Sequence, residues 1–223
     1  MENVSLLLKI FFILITFYTV GQFYAATTKS TTTLIGLTVW MLVQALIGFS
    51  GFYTEGDGFP PRIALLGFPA LVFIVVLFTT TRGRAFLDSL NIQKLTFLHT
   101  VRVAVELALY FLFLAKAIPL VMTFDGWNYD ILAGLSAPIV YYYAFIKKSL
   151  NNKILLVWNI VCLLLLFNIV SIAVLSAPTV VQKLAFEQPN IAILYFPFVW
   201  LPSVVVPLAL LSHLASIRRL LTE

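Results

Sequence analysis

Charge is scarce in this chain: 10% of its 223 residues are Asp, Glu, Lys or Arg, against roughly 25% in an ordinary soluble domain. The apolar share is 61%, and it falls in repeated runs of about 20 residues, the length that crosses a bilayer as a helix. No remainder is large enough for a soluble domain, so the chain reads as one all-α, helical transmembrane domain. Cysteine is almost absent. The lone Cys162, inside an apolar run, allows no intrachain disulfide and reads as packing. Histidine is limited to His99 and His213, too few for the multi-histidine metal centres of membrane hydrolases. There is no HExxH, no GxSxG and no Walker-type glycine loop. No lysine stands in the middle of the last apolar run, which excludes a retinal Schiff base. A basic leader is missing as well: Met1-Glu2-Asn3 precede an apolar run longer than the roughly 7 to 15 residues of a signal peptide, so that run is read as the first span.

What is present reads as seven spans, at about 4–25, 32–53, 61–80, 92–118, 128–146, 154–175 and 190–221. Polar and turn-forming clusters separate them, such as Thr27 to Thr33 and the glycine- and proline-rich stretch from Tyr53 to Arg62. Pro61 suits the first turn of the third span. Between Thr81 and Lys94, Phe86, Leu87, Leu90 and Ile92 alternate with charge, which predicts a short helix lying at the headgroups. Trp127 and Tyr129 are expected at interfacial depth, with Asp130 as a helix cap or solvated charge at the mouth of the fifth span. Asn159 and Asn168, on opposite faces of the sixth span, read as separate interhelical hydrogen bonds.

Loop charge sets an orientation. One end collects Lys29, Arg82, Arg84, Lys94, Lys147, Lys148, Lys153, Arg218 and Arg219 against Asp88 and Glu223. The other collects Arg62, Lys116 and Lys183 against Glu2, Glu55, Asp57, Asp125, Asp130 and Glu187. Positively charged loops stay in the cytoplasm, so the N-terminus is expected outside and the C-terminus inside. The net charge of +5 is then topological. Its partner is the lipid bilayer and its anionic headgroups rather than nucleic acid.

The fourth span carries the strongest functional signal. At 100° per residue His99, Arg102, Glu106 and Tyr110 fall within about 80° of one another, a polar stripe on an apolar helix. Counting about 1.5 Å per residue from Lys94, His99 lies roughly 8 Å deep, Arg102 about 12 Å and Glu106 about 18 Å. An isolated charge at that depth costs on the order of 3 kcal/mol or more, so a paired, inward-facing arrangement is expected. The i to i+4 spacing lets Arg102 and Glu106 bond each other. Two readings remain open: a structural ion pair, or the polar lining of a path for a small molecule, proton or ion.

His213 on the seventh span precedes Arg218 by five residues, as His99 follows Lys94 by five, so both histidines are expected at one depth. They could serve as axial ligands of a b-type haem, or as a hydrogen-bonded or pH-sensitive contact. The same span holds Pro197, Pro202 and Pro207. Each removes a backbone hydrogen bond, so the helix is expected to kink and to leave carbonyls for neighbours to satisfy.

The phrases Pro60-Pro61-Arg62, His99-Thr-Val-Arg-Val-Ala-Val-Glu106, Asp130-Ile-Leu-Ala-Gly-Leu-Ser-Ala-Pro138 and Phe196-Pro-Phe-Val-Trp-Leu-Pro202 resemble an uncharacterised family of bacterial polytopic membrane proteins. The resemblance implies a bacterial inner membrane and no particular activity. Together these readings point to small-molecule or ion binding or translocation through a polar cavity between the fourth and seventh spans. His99, Arg102, Glu106, Tyr110 and His213 are its expected residues. A haem-bearing redox protein using His99 and His213, and a non-catalytic membrane subunit or assembly factor, are the alternatives. An enzyme is less favoured, because His99 and Glu106 lie about 10 Å apart along the helix.

Overall fold

Ser5 and Ser30 each accept a hydrogen bond from the backbone N–H three residues on, and with those caps the first two apolar runs become α1 (Leu6–Ala26) and α2 (Thr31–Phe49). The computed structural model describes residues 3–54 and 61–222. The charges expected at Glu2, Glu55, Asp57 and Glu223 lie outside the described residues, as does most of the turn leading to the third span.

That span is α3 (Ala64–Thr79), with Pro61 before the helix rather than in its first turn. It turns by 95° into α4 (Thr81–Ser89). Thr80 caps α4 through the Gly83 N–H, and a Cβ at Gly83 would strike the backbone of Leu77, so the corner accepts glycine alone. The short helix expected at the headgroups is therefore formed, with Leu87 and Leu90 buried beneath it. The fourth span comprises α5 (Ile92–Leu98) and α6 (Val101–Leu114). Between them His99 and Thr100 tighten into a narrow turn, with Thr100 N–H bonded to Phe97 O and Arg102 N–H to His99 O. The span stops at Leu114 rather than 118, where Lys116 takes a left-handed backbone.

The fifth span, α7 (Ile131–Tyr141), continues as a wide π turn over Tyr142–Ile146. It begins after Asp130, later than expected. The sixth is α8 (Asn152–Leu175). In the last, a π turn over Leu201–Val205 leads into α9 (Val206–Thr222). Residues 190–200, expected to be helical, form one 3-10 turn at Ala192–Leu194 and otherwise irregular chain. Prolines deny that stretch helical hydrogen bonds. Its backbone is instead held by other elements, Asn190 N–H by Ser176 O and Ile191 N–H by Ala117 O.

Among the described residues five helices are long and apolar enough to cross a membrane: α1, α2, α5 with α6, α8, and Leu201–Thr222. The count is six if α3 and α4 are one bent span. Contacts sort the chain into two ends. At one, Asn91 N–H and Lys94 Nζ bond the carbonyls of Ala26 and Ala25, and Arg218 reaches Asp88. At the other, Ala117, Ser176, Gln188 and Asn190 meet. The expected basic residues Lys94, Arg218 and Arg219 thus share an end with α4.

The α5–α6 unit and α9 form the centre. α5 packs on α1 and α9, and α9 packs on α8. α2 and α3 lie outside this centre, and proline fixes how they join it. Pro69 and Pro207 cannot donate to the carbonyls four residues earlier, Leu65 O and Ser203 O. Gln44 Nε2 lies 3.5 Å from Leu65 O and Trp40 Nε1 donates to Ser203 O at 2.8 Å. Both donors stand one turn apart on α2. Trp200 Nε1 returns a bond to Met41 O at 2.9 Å.

Candidate functional site

Small residues bring α7 against α6. Ala133, Gly134 and Ala137 are buried in α7, and a Cβ on Gly134 would lie 2.7 Å from Val103 N and 3.2 Å from Arg102 Cβ. Such close approach is what small residues permit between membrane helices. It sets Asp130, one turn before Gly134, against Arg102. Arg102 Nε donates to Asp130 Oδ2 at 2.7 Å. Nη2 stands 2.6 Å from Oδ1, in ion-pair contact but outside hydrogen-bond alignment.

The expected Arg102–Glu106 pair is therefore not formed. An i to i+4 pair along one helix competes with a carboxylate delivered from the next helix, and the charge-assisted Nε–Oδ2 hydrogen bond, with Nη2 in ion-pair contact beside it, favours the latter. Asp130 is neither a solvated charge nor a capping side chain: it is buried, and it makes no cap bond to α7. The close approach of α7 to α6 at Gly134 holds it there against Arg102.

The rest of the guanidinium fixes a histidine. Arg102 Nη1 lies 3.1 Å from His213 Nε2. Arginine can only donate, so Nε2 accepts and the imidazole carries its proton on Nδ1. That proton points to Asn159 Oδ1 at 2.9 Å, and Asn159 Nδ2 donates to Leu155 O. Longer contacts of 3.4 and 3.5 Å run from Arg102 to the carbonyl of Cys162. The thiol takes no part in them.

Glu106 sits on the other side of Asp130. Asn128 Nδ2 donates to both carboxyl oxygens, at 2.7 and 2.6 Å, and to Met122 O, while Asn128 Oδ1 accepts from Asp130 N–H. One continuous chain of contacts therefore runs Glu106, Asn128, Asp130, Arg102, His213, Asn159. All six side chains are buried. Arg102 and Asp130 compensate each other's charge. Among the described residues Glu106 has an amide donor and no cationic contact.

His99 reaches the same depth as His213, as expected. Their rings stack 3.7 Å apart at 9°, with Trp158 edge-on to both. Neither His99 nitrogen has a hydrogen-bond partner. The pair does not fit a b-type haem, whose iron would need a free nitrogen from each ring on opposite sides of the macrocycle. Here the rings lie face to face, and both His213 nitrogens are engaged. Tyr110 is not part of the cluster: it is half-buried and stacks on Phe124 at 5.0 Å.

A cavity adjoins the cluster, apolar where a polar one is expected, and of the expected residues Glu106 alone lines it among the described residues. A space of about 760 Å³ lies between α3, α6, α8 and the last helix, and its walls are apolar apart from Glu106, Asp130 and Thr179. Of the polar cluster Glu106 and Asp130 reach this wall, while Asn128, Arg102, His213 and Asn159 are packed behind it. In the sequence Asp130 reads as an interfacial charge and Asn159 as an isolated interhelical bond, and Asn128 beside Trp127 carries no signal of its own. Their signal was weak because each stands alone in its own segment and gains meaning only beside Arg102.

A hydrogen-bonded chain centred on one ion pair, enclosed by helices of membrane-crossing length, defines a polytopic helical membrane protein with a charged centre. The family model described as a domain of unknown function, DUF8737, matches residues 60–221, and the chain belongs to that family. The match takes in every residue of the cluster and leaves α1 and α2 outside it. Neither a curated protein nor a solved structure matches the chain.

Proposed function

We propose that this protein binds a small molecule or ion at the Glu106 and Asp130 wall of the cavity and passes it across a bacterial inner membrane. In this reading seven segments cross: the five long helices together with α3 and α7. The N-terminus lies outside and the C-terminus in the cytoplasm. The observation that carries the proposal is Glu106. A carboxyl group buried in a membrane without a cation is costly, and such groups usually mark ligand or ion paths. This one faces about 760 Å³ of otherwise apolar space. An apolar pocket with a few convergent polar groups is the usual form of a small-molecule site. The complementary ligand carries a cationic or proton-donating group on an apolar body.

The test uses protein extracted in mild detergent and examined by native mass spectrometry, alongside proteoliposomes assayed for uptake of a lipophilic cation such as tetraphenylphosphonium and of protons. Wild type is expected to retain a bound species or to support uptake at least tenfold above protein-free liposomes. Glu106→Gln is expected to lose this while eluting as a monodisperse species. Gly67→Leu should lose it too, by filling the cavity from α3, where an added Cβ meets nothing closer than 3.8 Å. No bound species and no uptake by wild type, or full activity in Glu106→Gln, would sink the proposal.

A further inference from the structure

A second hollow, of about 510 Å³, opens between α2 and α3 and is floored by the last helix; Thr32, Thr33, Phe73, Phe86 and Pro207 are among its walls. α2 and α3 follow each other in the chain yet pack mainly against other elements. A hollow of this size and apolarity inside a bilayer is filled by something apolar, since interiors are close-packed and water needs polar partners. Its two ends differ. The deep end closes at Trp40, whose indole is committed to Ser203 O. The shallow end lies at Thr32 and Thr33 on one wall and Phe86 of α4 on the other, at the basic end of the molecule.

Two cations flank that shallow end. Lys29 lies three residues before Thr32, in a turn where Thr28 and Lys29 both take left-handed backbone. Arg82 lies one helical turn before Phe86 and so on the same stripe of α4. Both are exposed and neither side chain has a partner among the described residues. Arg84 points differently: it stands two residues from Phe86, on the side of α4 that carries Asp88.

We infer that this hollow is a binding site for one anionic phospholipid, its acyl chain between α2 and α3 and its phosphate between Lys29 and Arg82. The apolar groove selects a chain of hydrocarbon, and the two cations select the charge of the head. Zwitterionic lipid offers the same phosphate, but its own ammonium group offsets that charge and is repelled by Lys29 and Arg82, so it is held less tightly. The site is independent of Glu106, and it belongs to the part of the bilayer where basic residues meet anionic headgroups.

Delipidated protein in detergent, titrated with phosphatidylglycerol or phosphatidylcholine and followed by native mass spectrometry, tests this. One phosphatidylglycerol is expected to stay bound at least tenfold more tightly than phosphatidylcholine. Arg82→Ala and Lys29→Ala should each reduce that preference severalfold, and Arg84→Ala should leave it unchanged. Gly36→Leu should abolish retention of both lipids, since Gly36 lines the groove with open space beyond it and the variant can fold. Inorganic phosphate at about 10 mM, on the order of ten thousand times a micromolar protein concentration, should not displace the lipid. Equal effects of Arg82→Ala and Arg84→Ala would mean diffuse surface attraction and overturn the site. So would displacement by phosphate, or retention of lipid by a monodisperse Gly36→Leu.

Discussion

Arg102 decides the arrangement of the cluster, and its choice of partner is measurable. Removing one member of a buried ion pair leaves the other charge uncompensated, at a cost of about 3–5 kcal/mol. Arg102→Ala should therefore destabilise strongly. The Arg102→Ala with Asp130→Ala double variant should cost less than the sum of the singles, with a coupling of about 1–3 kcal/mol. The same cycle between Arg102 and Glu106 should give a coupling below about 0.5 kcal/mol, because Glu106 is held by Asn128. Helical circular dichroism followed through thermal or denaturant unfolding in detergent reads all of these. A larger coupling to Glu106 than to Asp130 would restore the pairing that helix spacing alone predicts. Helical period was enough to place His99, Arg102 and Glu106 on one inward face, and loop charge was enough to match His213 to them in depth. What period cannot express is which residue of another helix arrives opposite. That depended on Gly134, which lets α7 come close enough to α6 to set Asp130 against Arg102.

At the level of elements, proline and α2 are linked. Ser203 O lacks the donor four residues on because residue 207 is proline, and the Trp40 indole donates to it. Leaving a buried carbonyl unsatisfied costs about 1–3 kcal/mol, so Trp40→Phe should destabilise by roughly that amount. In a Pro207→Ala background the restored N–H can reach Ser203 O, and Trp40→Phe should then cost less than about 1 kcal/mol. A cost that is the same in both backgrounds would show that the indole acts through packing alone. α4 is fastened more loosely. Arg218 donates to both oxygens of Asp88 at 2.9 and 3.1 Å, and this hydrogen bonding, more than charge alone, holds the exposed carboxyl below the usual carboxylate range. Because the folded value is the lower one, the contact stabilises at neutral pH and is lost as pH falls through that value. Wild type and Asp88→Asn should therefore differ slightly in melting temperature at pH 7, and not below about pH 2 or in about 1 M salt. Apolar runs, caps and the amphipathic connection were legible as helices from their period. The stretch 190–200 was not, since its apolar content imitates a span while its prolines and cross-chain hydrogen bonds make it irregular.

For the whole molecule, the question is how many times the chain crosses. Among the described residues five helices have the length, and the two shorter ones decide between five and seven. α3 has 16 residues, a rise of about 24 Å, so it spans only if its ends are sunk or the bilayer thins locally, each at a modest cost. Two physical features favour crossing. The corner at Gly83 turns α4 away from α3 by 95°, which suits a helix that meets the membrane surface and then follows it. The charge pattern also alternates only if both short helices cross: without α3, Arg62 and Arg82 would face the same side, and without α7, Asp125 would join Lys147 and Lys148. The buried Cys162 is a quiet background for cysteine labelling. In intact cells a membrane-impermeant maleimide should reach Ser50→Cys and Asp125→Cys. Ser89→Cys and Ser149→Cys should react only once the membrane is opened. These four positions are exposed and bracket the two short helices. If Ser50→Cys and Ser89→Cys react from the same side, α3 and α4 form a re-entrant hairpin. The cavity between α3, α6 and α8 would then open to one face of the membrane rather than sit on a path between both.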